Sequence, residues 1–316
     1  MKLSVLAFVI FLRPAVGQVP PISSPVSGLL FHAPSHSLRF LLGVPGAAYY
    51  GPQLVSVDQG YPSPDSRFVI VTRNDATSLL QAAGSDAPIS ILDGLLSPVD
   101  QVAWTADASY VVLFNSAASR MQQVWITGDQ WTAADPVTIS GLSDGSTLIG
   151  TMSTCRCAVF TAADDVARHF MVVGTDAAVR QVGDFDRSAV AAIDRDDQMY
   201  LASTTQVTRI RLSDLVPVPE VVLQDTALKQ PIALSVSQAE SMVLVLTGDR
   251  RVLLYDLQSR APSGVISLTI SGTMLRRLPS PGRYYGLNDP NVSTDALYVL
   301  TLGPVNKVFF VPALEP

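Results

Sequence analysis

The chain has 316 residues, 48 % of them hydrophobic and 15 % charged, which is far too apolar for a disordered polymer. Its 21 basic and 27 acidic residues give a net charge of −6 without any basic block, and that argues against nucleic acid as the partner. The length fits one large all-β or α/β unit without demanding two domains.

Met1-Lys2 supplies a short positive start, Leu3 to Leu12 is a ten-residue apolar run, and Ala15-Val16-Gly17 places small residues where a signal peptidase reads them. Residues 1–17 therefore read as an export signal. The run is too short to span a bilayer, and Arg13-Pro14 ends it. Cleavage after Gly17 leaves 19 basic and 27 acidic residues, a charge of −8. Nothing after Leu12 offers a second membrane crossing. The expectation is an exported protein, periplasmic or extracellular, with residues 18–27 as a linker and one domain over 28–316.

Leu29 to His32 and Leu38 to Leu42 look like the third and fourth strands of a unit whose beginning is missing. Ser63-Pro64-Asp65-Ser66-Arg67 then enters the run Phe68 to Val71. Ser78 to Ala83 is the stretch that suggests a turn or two of helix. Thr105-Ala106-Asp107-Ala108-Ser109 precedes Tyr110 to Phe114, and Asp194-Arg195-Asp196-Asp197-Gln198 precedes Met199-Tyr200-Leu201. Ser237-Gln238-Ala239-Glu240-Ser241 precedes Met242 to Leu246. Two worn copies are Thr151 to Thr154 before Cys155 to Phe160, and Pro279 to Gly282 before Arg283-Tyr284-Tyr285. Each is a polar turn opening onto an apolar strand, with Pro setting φ and Asp or Ser available to bind backbone amides.

Numbering the third residue of each turn gives 65, 107, 153, 196, 239 and 281, at intervals of 42, 46, 43, 43 and 42. Between residues 231 and 270 four short strands are legible: 231–236, 242–246, 252–255 and 265–270. Four strands in about 43 residues is the arithmetic of a β-propeller blade. Twenty-four Asp against three Glu agrees, since Asp serves turns and Glu mainly helix surfaces. The expected fold is all-β, a propeller of four-stranded antiparallel blades. A mature length of 299 residues favours seven blades over six, with one blade shared between the two chain ends to remove exposed edges.

These turns resemble the SPDG-type turn of the YVTN/TolB-like group of β-propeller repeats, relatives of the WD-repeat common in exported bacterial proteins. The likeness covers about residues 28 to 312. It implies a disc with a central channel, used as a rigid binding platform and sometimes as an enzyme scaffold.

Chemistry is harder to find. Asp194, Asp196 and Asp197, with Asp184 and Asp186 ten residues earlier, are the acids that a Ca²⁺ site would use; hairpin chemistry is the stronger reading of them. His32, His36 and His169 show no metal-ligand spacing, and His169 reads as a satisfied or exposed histidine. Glycine-rich phosphate loops and a Gly-x-Ser-x-Gly elbow are missing. Cys155 and Cys157, placed on one strand at i, i+2, would point to one face about 6 to 7 Å apart, which resists a relaxed disulfide. Two small buried hydrophobes is the favoured reading. Trp104 reads as core, and Trp131 as a loop residue that packs on its own blade. Trp104, Trp125 and Trp131 fall in one repeat, unlike a quinone-cofactor propeller. Arg276-Arg277 and Tyr284-Tyr285 sit on the first two strands of the last unit, where alternation sends one of each pair to each face. Asn291-Val292-Ser293 is a glycosylation sequon.

No residue is assigned as catalytic or cofactor-binding, no cofactor is expected, and a metal is left open. The leading expectation is a non-enzymatic, monomeric, exported scaffold that grips a protein or glycan partner. The alternative is a metal-dependent hydrolase or lyase of the lactonase or sugar-lyase propeller type, with its site at the central channel.

Overall fold

A computed structural model describes residues 26–313 apart from 45, 83–87, 129, 144, 195–196, 215, 238–240, 279–282 and 290–295. The expected export signal, most of the linker, the anchors Asp196, Ala239 and Pro281, and the Asn291 sequon lie outside them.

Seven antiparallel sheets form a ring. Blade 1 holds β1 (Val26–His32), β2 (Ser37–Leu42) and β3 (Tyr49–Ser56). Blade 2 holds β4 (Gln59–Pro62), β5 (Phe68–Arg73), β6 (Ala76–Gln81) and β7 (Ile89–Leu92). Blade 3 holds β8 (Gln101–Trp104), β9 (Tyr110–Asn115) and β10 (Arg120–Thr127), and its outer strand is split into β11 (Gln130–Ala133) and β12 (Val137–Thr138), both paired with β10. Blade 4 holds β13 (Thr147–Met152), β14 (Cys157–Ala163), β15 (Ala167–Val173) and β16 (Val179–Asp186). Blade 5 holds β17 (Val190–Ile193), β18 (Gln198–Ala202), β19 (Gln206–Arg211) and β20 (Glu220–Gln224). Blade 6 holds β21 (Pro231–Ser237), β22 (Met242–Thr247), β23 (Arg251–Asp256) and β24 (Ala261–Ser267). Blade 7 holds β25 (Arg276–Arg277), β26 (Tyr284–Gly286), β27 (Leu297–Thr301) and β28 (Lys307–Val311).

The first strands of adjacent blades pack against one another, β1 on β4, β8 on β13, β13 on β17 and β17 on β21, so they surround the axis. Seven apolar clusters hold the ring, one at each seam. Alternation explains how one strand feeds two of them. On β5, Phe68 and Ile70 enter the cluster with blade 3, while Val69 and Val71 enter the cluster with blade 1. A second strand is thus covered on both faces and reads as an unbroken apolar run; all six residues of β9 are buried.

Several expectations change. The two chain ends share no sheet among the described residues: blade 1 is wholly N-terminal and blade 7 wholly C-terminal. Residues 29–32 and 38–42 lie on the first and second strands of blade 1, and what blade 1 lacks is a described fourth strand. The suggested helix at Ser78 lies on β6, whose β-branched and apolar residues pair with β5 instead. The strand placed at 265–270 begins earlier, at Ala261. Trp131 belongs to β11 and is 37 % exposed. No helix among the described residues is long and apolar enough to cross a membrane.

Cys155 and Cys157 are joined as a disulfide, with Cα atoms 5.2 Å apart. The strand reading fails because Cys155 lies in the turn and only Cys157 opens β14. Arg156 between them takes a left-handed conformation, φ 52°, which folds the two side chains toward each other.

Candidate functional site

In every four-stranded antiparallel blade, the turn joining strands one and two and the turn joining strands three and four emerge on the same side of the disc. On this turn face the repeated polar residues build a common hairpin. Ser63 Oγ donates to Asp65 Oδ1 (2.7 Å), which also accepts from the Arg67 amide (3.0 Å). Thr105 Oγ1 likewise donates to Asp107 Oδ1 (2.6 Å), which accepts from the Ser109 amide (3.1 Å). Ser66 and Ala108 carry the positive φ that completes each turn, 61° and 58°.

Blade 5 departs from this pattern by placing acids where blade 2 has Ser63 and Ser66 and blade 3 has Thr105 and Ala108. Asp194 takes the first position, and its Oδ1 accepts from the Gln198 amide (3.0 Å). Asp197 takes the left-handed position at φ 56°, which Asp tolerates better than most residues. That backbone aims its carboxylate at blade 4, where Oδ2 accepts from the Thr154 amide (3.2 Å) and from the Thr154 hydroxyl.

The turns of blades 3, 4 and 5 enclose a cavity of about 50 Å³ bordered by Ala106, Asp107, Thr151, Ser153, Asp194 and Asp197. Burial pulls the Asp107 carboxyl upward, but hydrogen bonds from Thr105 and Ser109 outweigh it and hold its pKa below the usual value. Asp197, only 4 % exposed, moves the other way. Burial raises its pKa, the Thr154 amide opposes, and the charges of Asp194 and Asp107 add to the rise.

Beside this cavity a groove of about 220 Å³ runs between blades 5 and 6, bordered by Gln198, Tyr200, Arg209, Ser241, Leu257 and Arg260. Glu220 bridges the seam: Oε2 meets Arg209 Nη2 at 2.5 Å and Oε1 meets Arg260 Nη2 at 2.6 Å. Those two bonds hold its pKa below the usual carboxylate range. Asp197 and Gln198 are chain neighbours, so the acidic cavity and the arginine groove meet at one turn.

Sequence reasoning missed the groove, because its arginines and glutamate come from two repeats with no local spacing to mark them. The expected acidic group is divided. Asp194 and Asp197 line the cavity, Asp184 accepts from His169, and Asp186 caps the Ser188 amide (2.8 Å). His169 is held between Asp184 (Nδ1, 2.7 Å) and Asp164 (Nε2, 3.0 Å). His32 bonds Ser35 through Nδ1 (2.7 Å). Among the described residues no three His, Cys, Asp or Glu side chains converge to hold one metal ion.

The paired arginines of blade 7 diverge as alternation requires. Arg277 Nη1 donates to Ser237 Oγ in blade 6 (2.9 Å), whereas Arg276 Nη2 reaches past blade 1 to the Pro62 carbonyl in blade 2 (3.2 Å). Arg276 keeps solvent access at the ring's centre, yet the surrounding blades desolvate it enough to lower its pKa against the attraction of Asp289. Trp104 is half-buried and joins blade 3 to blade 2 by donating Nε1–H to the Tyr61 carbonyl (2.9 Å).

No protein-family model and no curated protein matches the chain. Among solved structures, a functionally unknown protein from Desulfotomaculum acetoxidans DSM 771 is similar at a TM-score of 0.57 and 13 % identity, covering 92 % of this chain and 100 % of that one. Hydrazine synthase of Kuenenia stuttgartiensis is similar at 0.53 and 10 %, covering 94 % of this chain and 99 % of that one. At such identities the shared property is the fold, and the chain is a seven-bladed β-propeller.

Proposed function

We propose that this propeller is an exported, non-enzymatic scaffold that docks a protein partner on its turn face, across blades 3 to 6. The observation that carries the reading is the juxtaposition at Asp197 and Gln198 of an acidic cavity and an arginine-lined groove. Opposite charges set side by side on a rigid disc select orientation and partner more than they supply bulk affinity. Loops held by a rigid scaffold are where binding residues concentrate. Export is supported by the signal pattern of residues 1–17. The Ser63-to-Asp65 and Thr105-to-Asp107 turns support a place beside the YVTN/TolB-like repeats.

A photo-crosslinking residue at Gln198 or at Gln258, exposed beside the groove residue Ser241, tests this in the producing cell, with Val166, 85 % exposed on the opposite face, as the control position. Crosslinks to one discrete protein from 198 and 258, absent from 166 and lost in the Arg209→Ala/Arg260→Ala variant, are expected. Equal labelling from both faces, or a glycan as the sole captured species, overturns the reading.

A further inference from the structure

Blade 1 builds its first turn differently from its neighbours. Ser63 in blade 2 and Thr105 in blade 3 each donate their hydroxyl to an aspartate two residues on. In blade 1 the turn between β1 and β2 runs through Ala33-Pro34-Ser35 and closes on the backbone, with the His36 amide donating to the Ala33 carbonyl at 3.1 Å. The polar side chains around it bond one another instead. Ser35 Oγ lies 2.7 Å from His32 Nδ1 and 2.7 Å from Ser37 Oγ, and Arg39 Nε donates to Ser37 Oγ at 3.0 Å.

The order of protons along this chain follows from its far end. A guanidinium can only donate, so Ser37 Oγ accepts from Arg39. Ser37 is 0 % exposed, and among the described residues the acceptor within reach of its own proton is Ser35 Oγ. Ser35 therefore accepts from Ser37, which leaves its own proton facing His32 Nδ1. Burial first, and the Arg39 charge second, hold His32 below its ordinary pKa, so the ring is neutral at pH 7 and can accept. The Tyr50 ring packs against the imidazole, centres 4.9 Å apart, and restricts its rotation. His32 is 5 % exposed, whereas Ser35 is half-buried and reaches solvent on the turn face.

We propose that Ser35 is an acyl-accepting nucleophile whose general base is His32. A serine hydroxyl is a weak nucleophile unless a positioned base takes its proton as it attacks, and Nδ1 at 2.7 Å is within that reach. Ser37, donating from the other side, fixes the hydroxyl so that the proton points at the ring. Against a carboxylic ester, Ser35 Oγ bonds to the carbonyl carbon while its proton passes to His32 Nδ1. The carbon–oxygen bond to the leaving group then breaks, and that oxygen takes the proton from the imidazolium. One acyl-serine and one alcohol result, with His32 neutral again. This chemistry is confined to blade 1 and does not rest on the docking reading.

The test is incubation of the full domain with p-nitrophenyl acetate, following p-nitrophenol release and locating the acetyl group by tandem mass spectrometry. One acetyl group per chain, on Ser35, is expected. Ser35→Ala should abolish that burst, and His32→Gln should slow it at least about a hundredfold, the lower end of what a positioned base contributes. His36→Gln, exposed and outside the chain of bonds, should leave the rate unchanged. The wild-type pH profile is a check that needs no variant to fold. Of the groups facing the ring, Arg39 stays charged and Tyr50, its pKa pushed up to about 12 by burial, stays neutral. The rate should therefore hold from pH 8 down to 6.5, where an ordinary histidine base would have lost half of it. Acetyl groups on lysines or His36 with none on Ser35, an undiminished rate in His32→Gln, or half the rate gone by pH 6.5 overturns the proposal. Release beyond one equivalent per chain would retain the nucleophile and sink the non-enzymatic reading alone, and a crosslinked partner without acetylation sinks the nucleophile alone.

Discussion

Thr154 and Asp197, 43 residues apart, join the turns of blades 4 and 5, both Thr154 donors meeting the single oxygen Asp197 Oδ2. The separation equals one repeat, so each residue belongs to the same hairpin in successive blades. Replacing Asp197 by Ala removes the acceptor of both Thr154 donors, and because Thr154 is exposed water can replace it, so the loss should be about 0.5–1.5 kcal/mol; urea unfolding measures it. The pH dependence has a defined sign. Asp197 titrates above the ordinary carboxylate pKa of 3.8, so between that pH and its folded value the native chain holds a proton that the unfolded chain has released. Its contribution is complete below 3.8 and is lost as pH rises through the folded value. Asp197→Ala should remove that slope, and an identical slope in the variant would assign it elsewhere.

His169 gives a second pH signal on the far face. The hydrogen bond that it donates to Asp184, then the one to Asp164, raises its pKa above 6.5. Its stabilising contribution is therefore complete below pH 6.5 and disappears as pH rises through the folded value. Thermal melts across pH 5 to 9 should flatten in His169→Gln, and ring-proton NMR should place the wild-type midpoint above the free-histidine value. A midpoint at or below that value would show the two aspartates not to hold the ring in solution.

The ring was legible because geometry forces it into the sequence. Each second strand feeds two seams, as Phe68 and Val69 do, and a polar turn leads into it, with Ser63 bound to Asp65 in blade 2 and Thr105 to Asp107 in blade 3. The polar sites were not legible for the converse reason. Glu220 meets Arg260 across 40 residues, and nothing local to either announces the other. Asp197 reads as one more turn acid until the neighbouring turn is laid against it. Cys155 and Cys157 misled because strand geometry was applied two residues too early, where the left-handed Arg156 bends the chain.

Close packing of first strands makes a sharper prediction at Gly150. A Cβ there would lie 2.6 Å from Ile193 Cδ1 of blade 5. Gly150→Val should destabilise by about 1–3 kcal/mol through overpacking, and Ile193→Ala in the same chain should recover part of the loss. Equal effects with and without the second change would place the strain in the backbone instead.

Ring closure depends on a different kind of contact from the one expected. A blade shared between chain ends would lock the circle with backbone hydrogen bonds, whereas here the described ends meet through side chains: Leu30, Leu41 and Tyr50 of blade 1 against Leu278, Leu297, Val299 and Val311 of blade 7. Leu41 is 2 % exposed at the centre of that seam. Leu41→Ala should cost about 2–5 kcal/mol by the transfer and cavity terms of a buried leucine. Because no strand crosses the seam among the described residues, the loss should open it locally before the ring unfolds. Hydrogen exchange should accelerate first in β2 and β27, while β14 and β18 on the far side keep their protection. Uniform acceleration around the ring would mean that closure is cooperative with every other seam.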